Sequence, residues 1–335
     1  MNSSHTDLQK NLNAALAAVS KACQLCRRVQ STLISADTVQ KKDRSPVTVA
    51  DLGSQAVVTL ELLKALPDVA IVGEEDAQPF QGNEVLQGKV LELVQEQVPG
   101  VTDAQMCSAI DLGTAGKGDG ASFWTLDPID GTKGFLRGEQ YAIALALIEN
   151  GELQLGVLGC PNLPVQEGQP DLGTGCLFYA VKGQGAFLRP IDGGEARKIS
   201  VDSTSASGGA RFCESVESGH ASHDEHAQIS SLLGITAAPY RIDSQCKYGA
   251  VARGDASIYL RLSKGAEYKE CIWDHAAGAI VVQEAGGKVT DAHGKALDFT
   301  AGRKLTGNTG VIATNGHLHQ AVLEAVAKVL DQRGR

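Results

Sequence analysis

Residues 124–135 read Trp-Thr-Leu-Asp-Pro-Ile-Asp-Gly-Thr-Lys-Gly-Phe, which sets two carboxylates, Asp127 and Asp130, three residues apart and just ahead of Gly131 and Thr132. Acids, a turn and a hydroxyl converge on one small volume, a place suited to hard cations and a phosphate. Trp124, Thr125 and Leu126 read as the end of a buried strand. Pro128 fixes its own φ and biases Asp127 toward extended geometry, and Gly131 permits a sharp exit. A helix starting near Thr132 would aim its free N–H groups and positive dipole end into the same space, which favours a bound phosphate. Taken alone, Asp-Pro-x-Asp-Gly also suits a plain turn.

Other segments offer matching chemistry, each with a plainer role beside it. Gly73-Glu74-Glu75-Asp76 follows an apolar stretch, and consecutive acids repel unless a cation or solvent relieves them; a solvated loop is the alternative. Asp51 stands where a helix over residues 52–66 would begin, so capping that helix is open to it. Trp273-Asp274-His275-Ala276-Ala277-Gly278 opens another helix with an acid and small residues that allow close approach; capping is again the simpler role for Asp274, and His275 reads as structural. Ser244, Lys247 and Arg261 supply a hydroxyl and two cations. Arg261 interrupts an apolar strand, where an inward guanidinium needs an anionic partner. His220, His223 and His226 have a spacing compatible with metal, but their polar neighbours favour a loop turning into a helix and contact with substrate, because the hard acids form the better ion site.

The elements that must hold these residues divide into two lobes. In residues 1–201, a helix over 8–32 shows three-and-four apolar spacing, and residues 36–44 form a surface loop or hairpin. The helix over 52–66 precedes a strand at 69–72, a helix at 84–97 and a flexible glycine-rich link at 113–120. An antiparallel meander follows over 141–148, 154–158, 176–181, 185–188 and 197–201, with Asn150-Gly151 at its first turn. The Ser- and Gly-rich stretch 202–210 separates the lobes. In residues 202–335, strands at 211–214, 241, 256–262, 287–290 and 310–313 alternate with helices at 223–233, 246–252, 274–284 and 317–330, the pattern of an α/β layer structure.

Composition excludes several classes. A chain of 335 residues, 43% hydrophobic but only 4% aromatic, buries a large core divided between lobes. Its longest apolar runs, 141–148 and 276–282, are too short to cross a bilayer, and residues 1–9 lack the features of a secretory signal. A formal charge of −9 without a Lys/Arg block argues against binding a nucleic-acid polymer. Eight scattered cysteines suit a reducing, intracellular and most simply cytoplasmic setting. Cys23 and Cys26 form a C-x-x-C without a second pair, in a helical stretch where packing is the better reading.

Assembled, these residues resemble the lithium-sensitive, Mg²⁺-dependent phosphatase superfamily that includes inositol monophosphatase and fructose-1,6-bisphosphatase. Its first motif corresponds to residues 124–135, its second to residues 273–287, with Gly73-Glu74-Glu75 and Asp51 upstream. Within it the chain is most similar to the 3′(2′),5′-bisphosphate nucleotidases, on residues 132–141, 212–217, 243–248 and 272–278. The resemblance implies a mixed α+β and α/β chain with a layered α-β-α-β-α sugar-phosphatase-like fold. It implies two to three Mg²⁺ ions held by Glu74, Asp127, the carbonyl of Ile129, Asp130 and Asp274, with Asp51 and Thr132 positioning and deprotonating water. Gly131, Thr132, His220, Ser244, Lys247, Arg261 and Asp274 would hold the nucleotide. The 235–240 stretch is longer than the family pattern, which leaves His220 and His223 as alternative contacts.

The activity so implied is hydrolysis of the 3′-phosphate of adenosine 3′,5′-bisphosphate and of 3′-phosphoadenylyl sulfate, inhibited by lithium and sodium, by a monomer or weak homodimer. One rival is an inositol phosphate or fructose bisphosphate phosphatase, and another is a noncatalytic phosphonucleotide sensor.

Overall fold

The computed structural model describes residues 2–35, 45–116, 118, 121–216, 223–262 and 268–333. The loop or hairpin expected at 36–44 lies outside them, as does His220. Helix α1 (Asn2–Ser35) packs on helix α2 (Ser45–Ala65), and both cover one face of a seven-stranded sheet. Leu12, Leu16, Val19, Cys23 and Cys26 of α1 face inward at the spacing read from the sequence, and both cysteines are core residues.

Helix α2 begins earlier than the sequence reading placed it. Pro46 sits in the first turn, where its missing N–H costs no hydrogen bond and its φ already suits a helix. Asp51 therefore lies inside the helix, and the capping role is excluded.

After strand β1 (Ile71–Gly73), helix α3 (Glu84–Gln97) has its expected bounds, but helix α4 (Asp103–Ala115) was not anticipated. It takes in the first residues of the stretch read as a flexible link. A capping box of Thr102 and Gln105 starts it. Gly113 keeps it close to β1, because a Cβ there would come within 2.6 Å of the Gln55 amide and 3.2 Å of the Gly73 Cα.

Strand β2 (Ser122–Asp130) pairs parallel with β1 and is followed by the short helix α5 (Thr132–Leu136). The antiparallel meander then runs through β3 (Ala142–Glu149), β4 (Glu152–Pro164), β5 (Thr174–Val181), β6 (Gly185–Pro190) and β7 (Arg197–Ile199). Asn150 and Gly151 have φ of 52° and 77°, the left-handed pair that a two-residue hairpin of this twist demands. Both faces of this sheet are covered. Ile143, Leu145 and Leu147 point to the α1/α2 side, while Ala142, Ala144, Ala146 and Ile148 point to the other, so β3 reads as an unbroken apolar run.

A second sheet of five strands comprises β8 (Phe212–Glu214), β9 (Tyr240–Arg241), β10 (Ile258–Arg261), β11 (Lys288–Thr290) and β12 (Val311–Thr314), in the order β11-β12-β10-β8-β9. Helix α6 (His223–Leu233) and helix α9 (His319–Arg333) pack on each other, and their apolar residues cover its outer face. Helix α7 (Cys246–Arg253) and helix α8 (Ala276–Glu284) fill the space between the sheets. The layers are thus helices, sheet, helices, sheet, helices, the α-β-α-β-α order that the resemblance implied. Among the described residues no helix is long and apolar enough to cross a membrane.

Candidate active site

The two acids of the opening motif face one cavity because of a defect in β2. In a regular strand, residues three apart point to opposite faces. Between Asp127 and Asp130 the register with β3 slips by one residue, Asp127 standing opposite Ala144 and Asp130 opposite Ala142. Pro128, which donates no ladder hydrogen bond, lies within this bulge. Gly131 then turns the chain with φ of 91°, and a Cβ there would come within 2.8 Å of the Ser244 Cβ.

One face of α2 braces this turn from behind. Ser54 donates to the Pro128 carbonyl at 2.9 Å, and Gln55 donates to the Glu75 and Ile110 carbonyls while accepting from the Glu75 N–H. Asp51 shares that face at helical spacing and is buried. It does not line the cavity. Burial, then the charges of Glu75 and Glu74, push its carboxyl well up.

A cavity of about 420 Å³ opens in front, lined by Glu74, Asp127, Ile129, Asp130, Gly131, Thr132, Ser244, Lys247, Arg261 and Asp274, among others. Oxygens of Asp127, Asp130 and Asp274 lie within 4.8 Å of one another. Asp127 is 2% exposed and its Oδ1 has no hydrogen-bond partner. Burial, with Glu74 and Asp130 next, holds its carboxyl well above the carboxylate range. Glu74, at the mouth, is pushed up to about 8 by desolvation against the protein and by Asp274, Glu75 and Asp130. Asp274 sits in a 3₁₀ turn (Ile272–Asp274) ahead of α8 and does not cap that helix. Crowded hard oxygens and an orphaned buried lone pair fit a divalent cation such as Mg²⁺.

The far wall is cationic. Lys247 is 4% exposed, its ammonium 5.3 Å from the centre of the Tyr259 ring; burial lowers its pKa against the pull of Asp130. Arg261 finds the anionic partner its strand position requires, Glu270 at 2.7 Å, and reaches Asp274 at 3.4 Å. Burial opposes its charge, but Asp274, Tyr259, Glu270 and Asp130 more than offset that and hold it protonated. Glu270 in turn meets His275, whose other nitrogen meets the Tyr248 hydroxyl at 2.7 Å, so His275 is structural as expected. Glu270, Asp274 and His275 also cluster, but Arg261 already supplies the positive charge there.

Not every anticipated residue is brought to the cavity. His226 is 2% exposed and packs on Phe212 beside Glu214, away from the cavity lining, which corrects its place among substrate contacts. The side chain of His223 lies outside the described residues. Three supporting residues were missed. Ser54 and Gln55 had a signal, polar positions three and four after Asp51 in an apolar helix. Gln245 had none: its backbone N–H donates to Asp130 Oδ2 and its side chain to the Trp273 carbonyl at 2.8 Å, tying two cavity acids together. Ser244 beside it takes a left-handed φ of 66°, a backbone strain of the kind that collects at functional sites.

A model of the inositol monophosphatase family matches residues 7–331. A 3′(2′),5′-bisphosphate nucleotidase of Dictyostelium discoideum is 45% identical, the match covering 96% of this chain and 98% of the relative. One of Oryza sativa is 46% identical, covering 97% and 95%. Among solved structures, the Thermotoga maritima IMPase superposes with a TM-score of 0.62 at 23% identity, covering 96% of this chain and 98% of that one, a likeness of fold.

Proposed function

Because the chain belongs to the inositol monophosphatase family, we propose that it is a Mg²⁺-dependent phosphomonoester hydrolase that removes the 3′-phosphate of adenosine 3′,5′-bisphosphate, leaving AMP and phosphate, and acts likewise on 3′-phosphoadenylyl sulfate. The observation that carries this reading is that clustered acids and two cations, the buried Lys247 and the half-buried Arg261, face the same cavity. Acids alone would repel a phosphate, so they belong in such a site only when cations cover them. Relatives more than 40% identical over most of the chain, named for this activity, support the choice of substrate.

Glu74, Asp127, the carbonyl of Ile129, Asp130 and Asp274 hold two to three Mg²⁺ ions. Bound there, Mg²⁺ supplies charge neutralisation of the phosphoryl oxygens, activation of water and stabilisation of the leaving alkoxide. Side-chain proton transfer contributes only about 10²–10⁴ of an acceleration that for phosphate monoesters reaches about 10²¹. Asp51, its carboxyl raised by burial and by the charges of Glu75 and Glu74, positions and deprotonates the attacking water together with the Thr132 hydroxyl. The backbone N–H groups at Gly131 and Thr132 face the phosphate. Lys247, Arg261, Ser244 and His220 or His223 hold the rest of the nucleotide, Arg261 being aimed by Glu270.

Lithium or sodium in one of the cation positions blocks turnover. The test is a phosphate-release panel of adenosine 3′,5′-bisphosphate, its sulfated form, inositol 1,4-bisphosphate, inositol monophosphate and fructose 1,6-bisphosphate, with and without lithium. The bisphosphonucleotides should lead by at least about tenfold in kcat/KM, the scale of one or two lost charged contacts. An inositol phosphate turned over as well as they are would refute the substrate reading.

A further inference from the structure

Arg303 is not part of the cavity wall, yet it touches both arms that carry its acids. Its Nη2 donates to the Gly73 carbonyl at 2.6 Å, and Nη1 donates to the carbonyls of Gly113 at 3.1 Å and Gly116 at 3.3 Å. Its Cζ lies 4.8 Å from the centre of the Trp273 ring. Gly73 immediately precedes Glu74, and Trp273 immediately precedes Asp274. The backbone supports the same join: Ile272 N–H donates to the Arg303 carbonyl at 3.1 Å, and Leu305 N–H to the Glu270 carbonyl at 2.9 Å. A planar fork that also stacks on an indole is a guanidinium property that an ammonium cannot reproduce.

We propose that Arg303 is a positioning residue of the acid cage: it fixes the separation of Glu74 from Asp274 and so sets the affinity for a divalent cation, without touching substrate. The inference rests on the reading of those two acids as metal ligands. Electrostatics alone gives the opposite sign, because Arg303 is a positive charge close to Glu74, and removing it would draw a cation in more tightly. The direction of the change therefore separates positioning from charge.

The experiment measures Mn²⁺ binding by electron paramagnetic resonance of the free ion, using the full-length wild type, Arg303→Lys, Arg303→Met, Glu74→Gln and the Glu74→Gln/Arg303→Met double variant. Thermal unfolding and kcat at saturating Mg²⁺ are recorded alongside. Both Arg303 variants should bind Mn²⁺ about tenfold more weakly, the usual cost of removing a residue that orients metal ligands, with kcat at saturating metal within about twofold. In the Glu74→Gln background Arg303→Met should cause little further loss, since the arm it positions no longer carries a ligand. Unchanged or tighter binding in Arg303→Met, wild-type affinity in Arg303→Lys, or a full additive loss in the double variant would overturn the proposal. A wild type that binds no Mn²⁺ would remove the cage reading itself, and the role of Arg303 with it.

Discussion

Asp127→Asn should make the metal-free protein more stable and the metal-loaded protein less so. Oxygens of Asp127, Asp130 and Asp274 lie within 4.8 Å of one another. At an effective dielectric of about 20, unit charges at that distance repel by roughly 3.5 kcal/mol. Arg261 at 3.4 Å from Asp274, and Lys247, offset part of this. Without a cation, the wild type either carries the remaining repulsion or takes up a proton at neutral pH. An asparagine does neither, and its amide can donate to Glu74, the carboxyl that Asp127 meets now. The net gain in the metal-free state should be about 1–3 kcal/mol, or about 3 °C in Tm for a chain of this size. Magnesium at about 1,000 times its wild-type dissociation constant stabilises the wild type by about 4.1 kcal/mol, whereas the variant, one ligand short, should gain under about 1 kcal/mol on the same relation. Scanning calorimetry in EDTA and in Mg²⁺ should show the order of the two proteins reverse. A variant less stable than wild type in EDTA, or stabilised as much by Mg²⁺, would refute the cage argument.

Further outcomes follow from the same geometry. Asp51→Asn should lower kcat by about 10²–10⁴ with Mn²⁺ affinity kept within a few-fold, because Asp51 lies behind the cavity lining; a matching loss of Mn²⁺ binding would make it a ligand instead. Glu270→Gln leaves the Arg261 guanidinium without its nearer carboxylate. It should raise KM for the bisphosphonucleotide about tenfold and cost about 2 kcal/mol in denaturant unfolding; an unchanged KM would show that Arg261 does not hold the substrate. His319, hydrogen-bonded by Thr290 and Thr314, has its imidazole pushed down to about 4, chiefly by burial. Its folded value lies below the unfolded one near 6.5, so the unfolded chain binds more protons between the two. Its stabilisation is complete above pH 6.5 and is lost as pH falls toward 4. His319→Gln should flatten that limb of the stability curve, and an unaltered limb would rule the residue out as its cause.

What could be read from the sequence depended on whether the signal was local. The meander, its Asn-Gly turn and the alternation of strands and helices after residue 210 came from short-range pattern, as did the motif that places Asp127 and Asp130. Asp51 and Asp274 looked equally like helix caps, because a cap and an acid held for a site ask for the same residue type. Only the observed start of α2 and the 3₁₀ turn before α8 separated the two roles. Pro46, and the pairing of Thr102 with Gln105, were local signals that could have corrected the bounds of α2 and revealed α4. Gln245, Glu270 and Arg303 carry no such signal. Each acts through a backbone group or a partner fixed by tertiary packing, Arg303 reaching Gly73 across 230 positions of the chain.

The central claim is tested most directly by following adenosine 3′,5′-bisphosphate with Mg²⁺ by phosphorus NMR, in the wild type and in Asp130→Asn. The 3′-phosphate resonance should disappear as inorganic phosphate grows, with the 5′-phosphate of AMP intact and turnover lost in the variant. Retention of both ester resonances, loss of the 5′-phosphate first, or near-normal turnover in folded Asp130→Asn would contradict it.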